Sequence, residues 1–350
     1  MESKLPFITV AMPVRNEERF IAETLNALLT QDYPIDRYEI IVADGQSTDY
    51  TRNIVRQIAQ SHPQVMLLPN PGLLSGSGRN VGFQNGKGDF FLLVDGHCKI
   101  DNNHLLRNVV ECFEKSGAQC LGRPQPYIVS GEPNMQRAIA LARSSWLGHA
   151  TDSFIHSAKE GFVSPLSVGC AYKREVFEKI GFVDEAFDAC EDLEFNYRVE
   201  KAALKTFFSP KIAIYYFPRE NISGLSTQLI RYGEGRAKFI FKHPETINLD
   251  IFIPLFFLGG VLLGPLFAFI SKYFLFVYFA ALLLYFSIVS IESLRLSRGD
   301  GFRFGLNLII VFFVIHMTLG LGLIKGGCRI VMTWLFKKAH LRETKKAASG

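Results

Sequence analysis

The chain has 350 residues, 48% of them hydrophobic and 13% aromatic, with 31 Phe and a formal net charge of +5. That length holds one large domain or two ordinary ones, and the apolar excess lies beyond Asp250, which excludes a wholly soluble chain. The basic residues gather around the apolar half without any nucleic-acid-binding signature, which points to anionic lipid or phosphate and away from DNA or RNA.

In chain order, "FITVAMPV" (7–14) predicts a buried parallel strand. "ERFIAETLNALLTQ" places Ile21, Leu25, Leu28 and Leu29 at helical spacing. "YEIIVADG" (38–45) predicts a second strand, followed by a helix over 49–61. "VMLLP" (65–69) is a third strand, "GSGRNVGFQNG" a Gly-rich turn and short helix, and "DFFLLVDG" (89–96) a fourth strand. This alternation predicts a doubly wound parallel sheet with right-handed crossovers. Ligands of such sheets sit beyond the carboxyl ends of the strands. Pro13–Arg15, Asp44–Gly45 and Asp95–His97 all fall at those ends.

The pattern then becomes mixed. Helices are expected over 103–116, 135–148 and 190–202, a strand near "AQCLGRP", and a strand turning into a helix in "SVGCAYKREVFEKIG". Glu191 and Asp192 fall in the first turn of the 190–202 helix, where the helix dipole favours negative charge. "KIAIYYFP" closes this part of the chain.

The segment 224–245 mixes basic and apolar residues at helical spacing and reads as an interfacial amphipathic helix. Apolar stretches over 251–270, 273–291 and 304–323 each approach the ~20 residues needed to cross a bilayer. Arg295, Arg298 and Arg303 place the second loop on the cytoplasmic side. The N-terminus enters a strand with no leader-like apolar region, so the first domain is expected in the cytoplasm. A third crossing then puts Lys325, Arg329, Lys337 and Lys338 on the far side, unless that stretch is re-entrant or Gly320–Phe336 returns. The six Cys form no CxxC pair, which reads as reduced thiols and no zinc site. The expected domains are 1–220 (catalytic), 221–248 (interfacial), 249–326 (membrane) and 327–350 (basic tail).

Asp95 and His97, two apart, would point the same way in an extended chain. They either hold a divalent ion such as Mn²⁺ together with diphosphate oxygens, or mark a turn with an exposed His. Asp44 accepts from a base N–H or ribose hydroxyl, or caps a turn. Arg15 and Glu17 line the crevice, or are solvated loop charges. Arg79 is placed to pair with a diphosphate. Glu191 and Asp192 are either helix caps or the seat of a general base. Arg231, Arg236 and Lys238 hold a lipid-linked phosphate or simply meet anionic headgroups, and Lys325 and Arg329 face the same choice. His316, inside an apolar span, is functional or a packing residue.

"PVRNEE", "ADGQSTD", "GRNVG", "VDGH", "GCAYKREVFEKIGFVDE" and "EDLEFNYRV" follow one another in an order that resembles the inverting glycosyltransferases of family 2, over residues 5–218. "DGH" in place of DxD, "RYGEGRAKFIFKHPE" and "HMTLGLGLIKG" are similar to the membrane-bound exopolysaccharide glycosyltransferases of the succinoglycan ExoA type. The resemblance implies a GT-A fold followed by a helical membrane region. It implies Asp95 and His97 as metal ligands, with Mn²⁺ favoured over Mg²⁺. Pro13, Val14, Arg15, Glu17, Asp44, Arg79 and Asp95 would bind the nucleotide sugar. Asp192 would be the base and Glu191 its support. The implied reaction moves one sugar, with inversion, from a UDP-sugar to a polyprenyl-diphosphate-linked saccharide. The alternatives are a polyprenyl-monophosphate acceptor and a non-catalytic nucleotide-binding subunit. The implied location is the inner or plasma membrane, multi-pass, with a homo-oligomer left open. "RYGEGR" lacks the Trp of the Q-x-x-R-W motif of polymerising relatives, which argues against a processive synthase.

Overall fold

A computed structural model describes residues 5–129, 131, 134–149, 154, 157–167 and 169–347, the side chains of 167 and 338–347 excepted. Val168 and the Lys338 side chain, both within segments read above, lie outside that description. The chain divides into two compact units, Met1–Ile128 with His149–Pro218, and Val129–Gly148 with Arg219–Gly350.

The first unit is built on an eight-stranded mixed sheet. Strands β1 (Ile8–Val14), β2 (Tyr38–Asp44), β3 (Val65–Pro69) and β4 (Phe90–Leu93) pair in parallel in the order β3-β2-β1-β4. Helices α1 (Ile21–Leu29), α2 (Thr51–Ser61) and α3 (Ser75–Asn85) make the crossovers. β1 and β2 are buried almost throughout. Strands covered on both faces need continuous apolar runs, which is how these sequences read. In α1, Ile21, Leu25 and Leu28 turn inward together at helical spacing.

α3 sits on β1 through two glycines four residues apart. A Cβ on Gly82 would stand 2.5 Å from Ala11 Cβ, and one on Gly78 would stand 2.8 Å from Pro13 Cβ. The Gly-rich segment is therefore a packing surface that brings Arg79, between the two glycines, to the end of β1.

Past β4 the sheet turns antiparallel. β8 (Ala171–Lys173) pairs antiparallel with both β4 and β6 (Cys120–Gly122), β9 (Thr206–Phe208) runs parallel to β6, and β7 (Gly161–Val163) closes the edge. Helices α4 (Leu105–Ser116), α6 (Arg174–Ile180) and α7 (Glu191–Lys201) cover it. A two-stranded ribbon pairs β5 (Cys98–Lys99) with β10 (Tyr215–Tyr216). The fourth strand stops at Leu93, earlier than expected, and Gly96–His97 form a turn before β5.

The second unit holds α5 (Met135–Ser144), α8 (Ile222–Lys242), α9 (Ile253–Ala268), α10 (Lys272–Leu296) and α11 (Phe302–Ala347). Three spans, Leu249–Phe267, Lys272–Leu296 and Phe302–Lys337, are long and apolar enough to cross a membrane. α11 runs unbroken through Gly320–Phe336, so the chain does not return there. α5, expected within the catalytic domain, belongs to this unit. Its Ala138, Ile139 and Ala142 pack with Leu225, Leu229, Leu308, Val311 and Phe312. Arg137 pairs with Asp300 at 2.8 Å.

His316 is tied to its neighbours within this unit. Its Nε2 donates to the Leu147 carbonyl and its Nδ1 meets the Tyr285 hydroxyl, each at 2.9 Å. Lys325 and Arg329 are both paired to Glu234 of α8, at 2.6 and 3.0 Å.

Candidate active site

Four strand-end loops build the crevice, and they are stitched to one another. Gly45 N donates to Val14 O at 2.8 Å, and Asn70 N to Asp44 O at 2.8 Å. Asn16 N donates to Ser47 Oγ at 2.9 Å and Glu17 N to Thr51 Oγ1 at 2.7 Å. Thr24 Oγ1 reaches across to the carbonyls of Gly96 and Cys98, at 3.0 and 2.9 Å. Pro13, Val14, Arg15 and Glu17 thus share one cross-braced region with Asp44 and with the 95–97 turn.

Four non-glycine residues of these loops and of the α7 approach hold left-handed backbone: Asn16 (φ 58°), Gln46 (φ 57°), Leu73 (φ 64°) and Cys190 (φ 62°). Each costs of order 1 kcal/mol or more and persists only where its surroundings impose it.

Asp44 is buried and accepts from Ser47 N through both oxygens at 3.2 Å, with Arg52 Nε 3.8 Å away. Arg15 is exposed. Glu17 Oε1 lies 2.8 Å from His97 Nδ1. The carboxylate accepts, so Nδ1 carries the proton. Gly96 permits this contact, because a Cβ there would fall 2.9 Å from Val14 Cγ1 and 3.0 Å from Glu17 Cγ.

Arg79 Nη2 lies 3.3 Å from Glu191 Oε1, and its Nε is buried with no hydrogen-bond partner among the described residues. Burial works against the guanidinium charge, but the Glu191, Asp192 and Asp95 carboxylates outweigh it and hold Arg79 protonated. Burial pushes the Glu191 carboxyl above the usual range; Arg79 opposes the rise and Asp192 adds to it. Asp192 is exposed, and its Oδ1 accepts from Leu193 N at 2.8 Å. The structure therefore groups Arg79, Glu191, Asp192 and Asp95 electrostatically, and His97 with Glu17. Among the described residues no cluster of three or more metal-ligating side chains occurs.

Sequence reasoning missed three supports. Asn80 is buried and clamps Val183, donating to its carbonyl and accepting from its N–H, each at 2.9 Å. It also donates to Glu185 Oε1 at 2.7 Å, fixing the approach to Glu191. Arg198 forks onto Glu194, with Nε 3.0 Å from Oε2, and donates to the carbonyls of Ile180 and Phe182, locking α7 to the end of α6. Arg123, 2% exposed, donates to Leu93 O at 2.8 Å and to Tyr216 OH at 3.1 Å, bracing the strand end that carries Asp95. A buried Arg in "LGRP" had no signal beyond its apolar neighbours.

In the second unit, Arg231 and Arg236 are exposed on α8 and Lys238 is half-buried. The opposite face of α8 lies on α11. A Cβ on Gly233 would meet Leu319 O at 2.6 Å, and one on Gly322 would meet Ile230 O at 2.4 Å. "RYGEGR" and "LGLGLIKG" are thus the two halves of one close helix contact.

The Glycosyl transferase family 2 model matches residues 9–181. A dolichyl N-acetyl-alpha-D-glucosaminyl phosphate 3-beta-D-2,3-diacetamido-2,3-dideoxy-beta-D-glucuronosyltransferase of Methanococcus voltae is 27% identical over 328 residues, covering 91% of this chain and 97% of that protein. The succinoglycan biosynthesis protein ExoA of Rhizobium meliloti is 30% identical over 253 residues, 70% of this chain and 74% of ExoA. Among solved structures, the mannosyltransferase PcManGT of Pyrobaculum calidifontis, in complex with GDP-Man and Mn²⁺, is similar with a TM-score of 0.57 at 16% identity, covering 93% of this chain and 88% of that one. At that identity the likeness carries the fold alone.

Proposed function

This chain belongs to family 2 of the glycosyltransferases, and we propose that it moves one sugar from a UDP-sugar to a polyprenyl-linked saccharide at a membrane, inverting the anomeric centre. The observation that carries this reading is the half-buried Arg79 side chain, whose Nε is buried with no hydrogen-bond partner among the described residues, set among Glu191, Asp192 and Asp95. A buried donor in a crevice of carboxylates calls for an anionic ligand brought in with a cation, and a nucleotide diphosphate with a divalent ion is such a pair.

Asp95 and His97 would hold the ion, and two protein ligands leave the remaining positions to phosphate oxygens. His97, whose Nδ1–H donates to Glu17 Oε1, makes the kind of hydrogen bond that orients a metal-ligating imidazole. This nitrogen–oxygen donor set suits Mn²⁺ better than Mg²⁺. When bound, the ion neutralises charge on the departing diphosphate. Arg79 adds donors to the same group. Asp44 and the Pro13–Glu17 loop hold the uridine. Asp192, exposed at the start of α7, takes the proton from the acceptor hydroxyl as that oxygen attacks C1 opposite the diphosphate. Glu191 keeps Arg79 and Asp192 in register.

The name of the M. voltae relative describes a sugar carried on dolichyl phosphate, and that of ExoA a role in succinoglycan biosynthesis. The first supports a lipid-phosphate-linked saccharide as acceptor, and the second a place in polysaccharide synthesis. Arg231, Arg236 and Lys238 would meet its phosphate or diphosphate at the bilayer surface, with the catalytic unit in the cytoplasm. The test is transfer of labelled sugar into lipid extract from a panel of UDP-sugars and GDP-mannose, with Mn²⁺ or chelator. Label entering lipid from one UDP-sugar, lost with chelator and requiring a saccharide-primed lipid, is the expected outcome. Transfer to unprimed polyprenyl phosphate would establish the monophosphate alternative, and tight UDP binding without transfer the non-catalytic one.

A further inference from the structure

Glu17 meets His97 under constraint from both sides. Its N–H donates to Thr51 Oγ1 at 2.7 Å, and its carbonyl accepts from Phe20 N and Ile21 N, each at 2.9 Å. Asn16, just before it, holds left-handed backbone at φ 58°. The turn bearing His97 is held by Thr24 through the carbonyls of Gly96 and Cys98. The Tyr216 ring stands edge-on to the imidazole at 6.3 Å and 78°. A solvated ion pair between two mobile side chains has none of this framework. Here backbone, turn and glycine all fit the 2.8 Å contact between Glu17 Oε1 and His97 Nδ1.

We propose that Glu17 is a positioning residue that fixes the His97 tautomer, directs Nε2 to the metal and so sets the choice of ion. The proposal rests on the reading that Asp95 and His97 hold that ion. A carboxylate on Nδ1 fixes the proton there and raises the basicity of Nε2. Mn²⁺ favours oxygen ligands but accepts an imidazole nitrogen more readily than Mg²⁺, a harder ion that keeps an all-oxygen shell. Loss of Glu17 therefore weakens Mn²⁺ binding selectively, and Mg²⁺, bound through Asp95 and diphosphate oxygens, is little affected.

The experiment measures Mn²⁺ and Mg²⁺ binding by the full chain in detergent with UDP present, by calorimetry, and records ¹⁴N modulation in the Mn²⁺ electron spin echo. In Glu17→Leu the Mn²⁺ Kd rises about 10–100-fold, Mg²⁺ affinity holds and the ¹⁴N modulation weakens. In His97→Asp the modulation is lost and Mg²⁺ binding improves relative to Mn²⁺. Adding Glu17→Leu to His97→Asp then changes neither ion further, an outcome that a purely structural role for Glu17 does not produce. Glu17→Gln, close in size and still able to accept from Nδ1, retains part of the Mn²⁺ preference. Wild-type Mn²⁺ affinity in Glu17→Leu alongside its loss in Asp95→Asn overturns the proposal and leaves the metal site standing. So does an equal loss from Glu17→Leu in the wild-type and His97→Asp backgrounds. Wild-type Mn²⁺ affinity in both Glu17→Leu and Asp95→Asn removes the metal-site reading itself.

Discussion

Arg79 Nη2 lies 3.3 Å from Glu191 Oε1, with side-chain exposures of 13% and 8%. A pair this far from solvent gains little over an apolar substitute, but breaking it strands a charge. Arg79 is the largest of the influences that hold the Glu191 carboxyl down against burial. Arg79→Met therefore leaves an uncompensated carboxylate and costs up to about 3 kcal/mol in chemical denaturation. The double variant Arg79→Met/Glu191→Gln loses clearly less than the sum of the single ones. Strict additivity would show that the two groups do not stabilise each other.

Asp192 follows Glu191 in the chain but lives in a different environment, exposed at the helix start. The role proposed for it is chemical, so Asp192→Asn is expected to leave the melting temperature and UDP affinity near wild type. The rate of transfer drops by about 10²–10⁴, the usual contribution of a positioned base. Equal loss of UDP binding would move Asp192 into the donor site. Full retention of turnover would end its assignment as the base.

The parts of this architecture that read from sequence are those that local pattern controls. β1 and β2 are continuous apolar runs because both sheet faces are covered. Asp44 and Asp95 stand out as candidates because each lies at the end of such a run. What could not be read rests on contacts between distant residues. Arg123 meets Tyr216 93 residues away, and His316 meets Leu147 169 residues away. The two-residue strands β5 and β10 are too short for any periodicity, yet they bring Tyr216 beside His97. α5 has an ordinary amphipathic pattern that does not reveal which unit receives its apolar face, and that face packs with α8 and α11.

The seat of α3 gives a sharp steric contrast. A methyl group on Gly82 would stand 2.5 Å from Ala11 Cβ, between a helix and a central strand that cannot easily separate. Gly82→Ala is expected to cost about 1–3 kcal/mol despite its better helix propensity. Gly161→Ala meets nothing within 4 Å and stays within about 0.5 kcal/mol of wild type. Comparable denaturation midpoints for the two variants would show that α3 yields to the added methyl.

Glu160 supplies a pH test away from the active site. Hydrogen bonds from Lys115 and Ser209 hold its carboxyl below the usual 4.5, against a smaller opposing effect of burial. A carboxyl whose folded pKa is depressed stabilises the fold above the unfolded value and loses that contribution as pH falls through the folded one. Glu160 is 29% and Lys115 53% exposed, so solvent screening limits the pair to about 0.5–1 kcal/mol. Glu160→Gln should lower the melting temperature by about 1–4 °C at pH 7. The gap should close below about pH 4. A gap of the same size at acid pH would mean that the carboxylate charge is not what Glu160 contributes.

On α8 and α11, two kinds of contact compete as the source of cohesion. Glu234 holds Lys325 and Arg329, but those partners are 55% and 71% exposed. Exposed pairs are worth about 0.2–1 kcal/mol each. The glycine seam is tighter: a Cβ on Gly322 would fall 2.4 Å from Ile230 O, and one on Gly326 would fall 2.8 Å from Ala237 Cβ. Backbones this close gain dispersion contacts that no larger side chain permits. Gly322→Ile is therefore expected to loosen α8 from α11 and to cost more than Glu234→Gln, about 1–3 kcal/mol against less than 1. Thermal stability of the detergent-solubilised chain ranks the two. The reverse order would make the ion cluster, and not the seam, the bond between the two motifs.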